Sequence, residues 1–196
     1  MVSGGQWHQW ALAALPYLAG CVLELGCGTG TLQAALAQRG STATGLDLSP
    51  QMLMITRRKL ARRGLRARLV QASAGAIPFP DAAFDTLVAT FPSEYIIAPA
   101  TLTEIGRVLR PGGRIVIIFA AQFQTRGIYR WLVDLLYRLT LQHPVIAPPV
   151  LEAPQSLVGA QLAQAGLRVE EHWEMVGATQ VALHVISGMR DGTDSR

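Results

Sequence analysis

Leu23-Glu24-Leu25-Gly26-Cys27-Gly28-Thr29-Gly30 is the stretch that decides the fold of this 196-residue chain. The apolar run from Cys21 to Leu25 is typical of a buried strand, and it leads straight into three glycines at alternate positions. Glycine lets the backbone turn sharply and approach a ligand with no Cβ in the way. The pattern predicts a strand, a ligand-binding turn and then a helix over Thr31 to Gln38.

Outward from this stretch, apolar runs of strand length alternate with segments of helical period. Further strands are predicted over residues 42–46, 67–70, 84–90 and 114–120, with helices between them. Strands separated by helices imply a parallel sheet with right-handed crossovers. Two closing strands, 168–176 and 180–187, lie too close in sequence for a crossover and should be antiparallel. We predict an α/β fold: a doubly wound, mostly parallel seven-stranded Rossmann-like sheet with helices on both faces and an antiparallel last strand.

The length of the chain is that of one domain of ordinary size. We predict a single domain over residues 1–196, with a leading helix in 1–20, a lid or substrate-facing insertion over 121–154 and a frayed tail at 189–196. Half of the residues are hydrophobic and 15% are charged, which allows a sizeable core.

The two cysteines, Cys21 and Cys27, form neither a disulfide framework nor a metal-ligand cluster, so we expect a reducing compartment and no metal site. The N-terminus has no signal-peptide pattern, and no apolar run reaches the length of about 18 residues that spans a bilayer. A cytoplasmic location is therefore predicted.

The net charge of +4 is concentrated in one basic run over residues 57–68, which holds seven arginine and lysine residues. No aromatic residue that could stack on a base lies within it. The run is more typical of a solvated helix face than of a nucleic-acid footprint. We therefore predict no nucleic-acid partner, with methylation of a nucleic acid as the alternative that this run keeps open.

Asp47 ends the second strand, 17 residues after Gly30, where a carboxylate can accept hydrogen bonds from both ribose hydroxyls. The glycine spacing is G-x-G-x-G, whereas dinucleotide sites usually have G-x-G-x-x-G. Glu24 would repel a nearby pyrophosphate by about 1 kcal/mol or more. A nucleoside that carries an ammonium and a sulfonium would be attracted instead, so the residues favour S-adenosylmethionine.

Four stretches in order, LELGCGTG (23–30), GLDLSPQML (45–53), IPFPDAAFD (77–85) and EIGRVLRPGGRIVI (104–117), resemble class I S-adenosylmethionine-dependent methyltransferases. The resemblance is to the ubiquinone/menaquinone-biosynthesis group (methyltransferase type 11) and covers roughly residues 20–120. It implies S-adenosylmethionine as cofactor and S-adenosylhomocysteine as product. It further implies that the cofactor is bound by Glu24, Gly26, Cys27, Gly28, Gly30, Asp47, Leu48, Met52, Ser73, Ala74 and Thr90.

The resemblance also implies that Phe79 and Pro80 shape the adenine edge of the site. One departure concerns the residues before this loop, because family members commonly carry an acid there that contacts the adenine amino group. Residues 71–76 contain no acid, and the uncharged hydrogen bond that Ser73 can offer is weaker by about 1 kcal/mol. The sequence therefore predicts reduced cofactor affinity.

The sequence gives fewer signals for the acceptor site than for the cofactor site. The sulfonium already activates the methyl group, so the protein has mainly to align the acceptor and exclude water. Glu94, Tyr95 and His143 are candidates for a catalytic base. A largely apolar helix at 127–141 is predicted as core, as a lid, or as a site of peripheral membrane contact or homodimer formation. We predict methyl transfer to a small, apolar or ring-bearing acceptor; the alternative is a catalytically silent cofactor-binding or partner-binding domain.

Overall fold

The computed structural model describes residues 7–123, 157–176 and 181–190. Its strands are β1 (Val22–Leu25), β2 (Ala43–Asp47), β3 (Arg68–Gln71), β4 (Phe84–Thr90), β5 (Leu109–Phe123), β6 (Leu167–Val176) and β7 (Val181–Arg190). Its helices are α1 (Trp7–Leu12), α2 (Thr31–Gln38), α3 (Pro50–Ala61), α4 (Pro99–Val108) and α5 (Leu157–Gln164), and 3₁₀ turns lie at Leu15–Tyr17 and Glu94–Ile97. The predicted helix at 127–141, His143 and most of the predicted insertion lie outside the described residues.

The strands form one sheet in the order β3-β2-β1-β4-β5-β7-β6. Neighbours from β3 to β5 are parallel, and β7 is antiparallel to both β5 and β6. The predicted mostly parallel sheet with a reversed last strand is therefore confirmed. The chain moves outward from β1 to β3 on one side and resumes with β4 on the other, so the order reverses between β1 and β4. Open sheets of this kind bind ligands at that switch point, beyond the carboxyl ends of the strands.

The side chains of the central strands alternate between two apolar clusters, one on each face of the sheet. One cluster joins Leu23, Leu87 and Ile117 to α4 and α5. The other joins Val22 and Val116 to α1 and α2. This alternation is the period of two that a strand imposes on its side chains. Helices on both faces bury the sheet and hold the ends of β1, β2 and β4 in fixed positions.

Strand β5 begins five residues before the predicted start at Arg114, because Leu109 already pairs with Phe84. The next described pair is Thr86 with Arg114, so residues 110–113 bulge out opposite Asp85. Gly112 has a φ of +75° within this bulge, a conformation that glycine adopts at little cost. The stretch Pro111-Gly112-Gly113 is therefore an irregularity inside a strand.

Strand β7 continues to Arg190 and so includes the first two residues of the predicted tail. The Arg190 guanidinium anchors this end of the strand by donating to the carbonyls of Gly106 and Leu109. Residues 191–196 lie outside the described part.

Candidate active site

The turn after β1 places three glycines in the left-handed region, with φ of +71° at Gly26, +51° at Gly28 and +72° at Gly30. The amides of Gly26 and Cys27 both donate to the Leu46 carbonyl, at 2.8 and 2.9 Å, which fixes the turn to the end of β2. A Cβ at Gly28 would meet no atom closer than the Gly26 carbonyl oxygen at 4.0 Å. The backbone at Gly28 therefore borders open space that a ligand can approach.

Asp47 joins the end of β2 to this glycine turn. Its Oδ2 accepts from the Gly28 amide at 2.7 Å, and its Oδ1 accepts from the Ser49 amide at 2.9 Å. The residue is 9% exposed. Because a carboxylate offers about four acceptor positions, Asp47 retains the capacity to accept further hydrogen bonds from a ligand while it orients the turn.

Glu24 lies in β1, is 2% exposed, and accepts a 2.8 Å hydrogen bond from Gln33 Nε2 of α2. Burial raises the pKa of Glu24 to about 8, and the nearby Asp47 carboxylate adds to the rise. Gln33 and Lys59 act in the opposite direction. From the sequence we expect a carboxylate at Glu24, whereas its burial and raised pKa favour the neutral acid at pH 7.

Helix α3 supports the glycine turn from one side. Thr56 Oγ1 donates to the Gly28 carbonyl at 2.7 Å, and Lys59 Nζ donates to the Thr29 carbonyl at 3.2 Å and to Thr31 Oγ1 at 3.1 Å. Burial lowers the pKa of Lys59, with nearby Arg63 adding to the effect. A Cβ at Gly30 would collide with the Thr56 side chain, so this close approach requires glycine.

Sequence reasoning did not single out Gln33, Thr56 or Lys59. Thr56 carries a partial signal, because it falls between the buried residues Leu53 and Leu60 at helical spacing. The helical period identifies it as facing inward but not as a partner of the glycine turn.

The residues predicted to surround the adenine lie beyond the ends of β2 and β3. Leu48 is 68% exposed and Met52 is 36% exposed, next to the buried Asp47. Ser73 is exposed, its Oγ accepts from the Gly75 amide at 3.2 Å, and the neighbouring Ala74 is buried. These side chains therefore lie at the same edge of the sheet as the glycine turn.

The segment after β4 approaches the glycine turn from the other side of the switch point. Thr90 ends β4 and is half-buried, and Phe91 has a φ of +51°, which is uncommon for a bulky residue. The Tyr95 hydroxyl donates to the Leu25 carbonyl at 3.0 Å. Burial raises the pKa of this phenol, and nearby acidic groups add to the effect. Glu94, in contrast, is exposed.

Phe79 and Pro80 lie at the opposite end of the sheet, so the expectation that they shape the adenine edge is wrong. They line a groove of about 440 Å³ together with residues at the beginnings of the parallel strands, including Cys21, Ala43, Arg68 and Phe84. Phe79 packs edge-on against Phe84 with ring centroids 5.0 Å apart. The loop after β3 therefore contributes its first residues to the ligand edge and then crosses to the far end.

Within residues 7–123, 157–176 and 181–190, no group of three or more His, Cys, Asp or Glu residues has an arrangement that could hold a metal ion. In the same described ranges, no helix has the length and apolar character needed to cross a membrane.

A glycine turn after β1, an acid at the end of β2 and a strand order that reverses between β1 and β4 define a nucleoside-binding domain of the class I methyltransferase type. Residues 22–113 match the family model described as "Methyltransferase domain". A demethylmenaquinone methyltransferase from Tropheryma whipplei (strain Twist) is 31% identical over 193 residues, covering 91% of this chain and 79% of the relative. The chain belongs to the S-adenosylmethionine-dependent methyltransferase family, and S-adenosylmethionine is its cofactor.

Other similarities cover different shares of the two proteins. A demethylmenaquinone methyltransferase from Thermus thermophilus is 43% identical over 100 residues, so the match spans half of this chain and 46% of that relative. A crystal structure of an Aquifex aeolicus SAM-dependent methyltransferase has a TM-score of 0.67 at 21% identity, covering 95% of this chain and 93% of that one. A structure from work on thioacetal formation in echinomycin biosynthesis has a TM-score of 0.62 at 26% identity, covering 94% of this chain and 81% of that one.

Proposed function

We propose that this protein transfers the methyl group of S-adenosylmethionine to a small acceptor with an apolar ring. The observation that carries the proposal is the hydrogen bond between Asp47 and the Gly28 amide, which joins the acid of β2 to the glycine turn of β1 at the switch point. The names of the 31% and 43% identical relatives support a demethylated quinone as the class of acceptor.

The residues fit the cofactor on three counts. Gly28 borders open space, Asp47 has acceptor capacity left, and Leu48 with Met52 offers exposed apolar surface next to that acid. In this proposal Asp47 holds the ribose hydroxyls, Glu24 and the turn from Gly26 to Gly30 hold the methionine part, and Leu48, Met52, Ser73 and Ala74 surround the adenine. When bound, the cofactor supplies a methyl group already activated by the sulfonium.

On the acceptor side, the proposal assigns different roles to the three candidate bases. The Tyr95 hydroxyl donates a hydrogen bond to a backbone carbonyl, an arrangement that favours positioning of the loop after β4 over removal of an acceptor proton. Glu94 is exposed at the start of the 3₁₀ turn that follows β4 and stays our candidate base. Thr90 lies at the end of β4, where an acceptor would approach the methyl group. His143 stays a sequence-based candidate outside the described residues.

Three further predictions stay proposals. The segment 121–154 is proposed to cover the acceptor, and its helix at 127–141 to contact a membrane surface or a second copy of the chain. The protein is proposed to use no nucleic acid, because no aromatic residue that could stack on a base lies among the basic residues of 57–68. A cytoplasmic location is proposed from the free thiols of Cys21 and Cys27.

Calorimetric titration with S-adenosylhomocysteine tests the cofactor site. Asp47→Ala should weaken binding 10- to 100-fold, because charge-assisted hydrogen bonds to the ribose and to the turn are lost. Asp81→Ala is the matched control, since Asp81 is an exposed acid beside Arg107 in the loop that crosses to the far end of the sheet. An affinity for Asp47→Ala equal to that of the wild type would overturn the site.

Formation of S-adenosylhomocysteine with a panel of short-chain quinones, phenols and amines tests the reaction. We expect turnover with the quinones supplied in their reduced quinol form, in which a ring carbon is nucleophilic and gives up its proton after methylation, and none with amines. Tight cofactor binding with no turnover on any acceptor would favour the catalytically silent alternative. Turnover on RNA or DNA with steep salt dependence would instead support methylation of a nucleic acid.

A further inference from the structure

Glu24 and Gln33 form a buried polar pair beneath the glycine turn. Gln33 is fully buried in α2, and its Nε2 donates to Glu24 Oε2 at 2.8 Å. Its other polar atom, Oε1, is buried and has no hydrogen-bond partner within the described part of the chain. Buried polar atoms without a partner are rare in proteins, and each calls for a physical reason.

The protonation state of Glu24 supplies that reason. A carboxylate only accepts hydrogen bonds, whereas a protonated carboxyl also carries an O–H that can donate. An amide beside a carboxylate can use its N–H but leaves its carbonyl oxygen unpaired, whereas a neutral acid offers a donor to that oxygen as well. Of the two forms of Glu24, only the protonated one has a donor to offer to the unpaired Gln33 Oε1.

The charges that face Glu24 agree with this state. The Asp47 carboxylate of β2 disfavours a second negative charge, and the Lys59 ammonium of α3 favours one. Burial is the largest effect and keeps the pKa of Glu24 at about 8 despite Lys59 and the Gln33 hydrogen bond. The two other titratable neighbours, the Cys27 thiol and the Tyr95 phenol, are neutral at pH 7 because their own pKa values are raised.

We propose that burial keeps Glu24 neutral in the free protein, that Gln33 is the positioning residue that holds its carboxyl group in place, and that the ammonium group of the bound cofactor drives release of the Glu24 proton to solvent. The carboxyl O–H bond breaks, the proton leaves to buffer, and the carboxylate stays paired with the cation and with Gln33 Nε2. This inference rests on the proposed function, since it requires the cofactor to bind at this turn.

Calorimetric titration with S-adenosylhomocysteine in buffers of different ionisation enthalpy counts the protons released. A group with a pKa of about 8 is about 90% protonated at pH 7 and about 25% protonated at pH 8.5. We expect release of roughly 0.9 proton at pH 7 and 0.25 proton at pH 8.5, with affinity rising as pH increases between these values. Tight binding without proton release would overturn this inference and leave the proposed function standing.

Two variants separate positioning from a merely structural role. Glu24→Gln should bind with no proton release and with a flat pH profile over the same range. Gln33→Met removes the donor at similar volume, and the affinity should fall roughly tenfold at pH 7 while the pH profile moves to higher pH, because the carboxylate loses a hydrogen bond. Gln38→Met, an exposed change on the same helix, is the control.

The outcomes are distinct. A Gln33→Met protein whose affinity falls by the same factor at every pH would show a structural role alone and overturn the positioning role. If the wild-type protein bound no S-adenosylhomocysteine at any pH, the proposed function would fail and this inference would fail with it.

Discussion

The Tyr95 hydroxyl lies 3.0 Å from the Leu25 carbonyl oxygen and donates a hydrogen bond to it across 70 positions of sequence. A Cβ built on the next residue, Gly26, would lie 2.7 Å from the same hydroxyl. The loop after β4 is thereby fitted against the turn after β1, on the two sides of the switch point. The turn that we propose to hold the cofactor and the loop that we propose to face the acceptor therefore share a direct contact.

This contact predicts unequal effects of alanine at two glycines. Gly26→Ala and Gly28→Ala both place a side chain in the left-handed region, at about 1–2 kcal/mol each. Gly26→Ala also drives a methyl group into Tyr95, whereas Gly28 borders open space. Urea denaturation should therefore show a larger loss of stability for Gly26→Ala.

Adding Tyr95→Phe to Gly26→Ala tests the cause of that difference. The double variant should recover part of the lost stability, because it removes the hydroxyl that the new methyl group meets. Equal destabilisation by the two single changes, or no recovery in the double variant, would contradict the contact.

The elements that sequence predicted best carry strong local signals. The bounds of α2 and β4 agree with the structure at both ends. In these cases a glycine turn or an apolar run lies next to the boundary that it sets. The parallel pairing of the central strands followed from the alternation of strands and helices along the chain.

The features that sequence missed depend on contacts between distant segments. The path of Phe79 to the far end of the sheet is fixed by Arg107, which donates to the Phe79 carbonyl at 2.7 Å and to the Ile77 carbonyl at 2.8 Å. The pairing of Gln33 with Glu24 depends on how α2 packs on β1. A single sequence shows no pattern for either contact, because polar residues such as Arg107 in α4 and Gln33 in α2 are common in helices and do not indicate their partners.

The hydrogen bond from Thr56 to the Gly28 carbonyl is expected to stabilise the fold, beyond what the shape of the Thr56 side chain contributes. Thr56→Val keeps a β-branched side chain at a fully buried position but leaves the Gly28 carbonyl without its 2.7 Å hydrogen bond. We expect a loss of about 1–3 kcal/mol in denaturant unfolding, together with weaker binding of S-adenosylhomocysteine. Thr103→Val removes a similar bond on an exposed helix face and should change both values little. A Thr56→Val protein as stable as the control would exclude the bond as a support of the turn.

The ionised Glu104 carboxylate is expected to make the free energy of unfolding depend on pH in the acid range. The pKa of Glu104 is lowered mainly by the hydrogen bond from Arg107; burial opposes this shift, and the hydrogen bond from the Ile77 amide adds a smaller lowering. A lowered folded-state pKa means that the stabilisation is present above the unfolded value of 4.5 and is lost as the pH falls through the folded value. The free energy of unfolding of the wild type should therefore decrease below pH 4.5 more steeply than that of Glu104→Gln.

Arg107, the partner of Glu104, is expected to contribute to the stability of the fold but not to cofactor binding. Arg107→Met should lower the unfolding midpoint, because it removes the donor that holds the loop at Ile77 and Phe79. The affinity for S-adenosylhomocysteine at pH 7 should stay within about twofold of the wild type, because Phe79 lies at the far end of the sheet from the glycine turn. Arg58→Met, on the exposed face of α3, is the control for loss of one positive charge. A large loss of affinity in Arg107→Met, but not in Arg58→Met, would contradict this prediction, because it would show that the two ends of the sheet are energetically coupled.

The two thiols predict a sharp difference in reactivity. Cys27 is buried in the glycine turn, and burial together with the Glu24 and Asp47 carboxyls raises the pKa of its thiol, so the reactive thiolate is scarce. Cys21 is only half-buried and lines the groove at the far end of the sheet.

Iodoacetamide at pH 8 should therefore alkylate Cys21 in the folded protein at least about 100-fold faster than Cys27, a ratio set by exposure and thiolate fraction. Mass spectrometry of the Cys21→Ser and Cys27→Ser variants separates the two rates, and S-adenosylhomocysteine should slow the reaction at Cys27 alone. Rapid labelling of Cys27 in the folded protein, or protection of Cys21 by the ligand, would contradict the placement of the cofactor against the glycine turn.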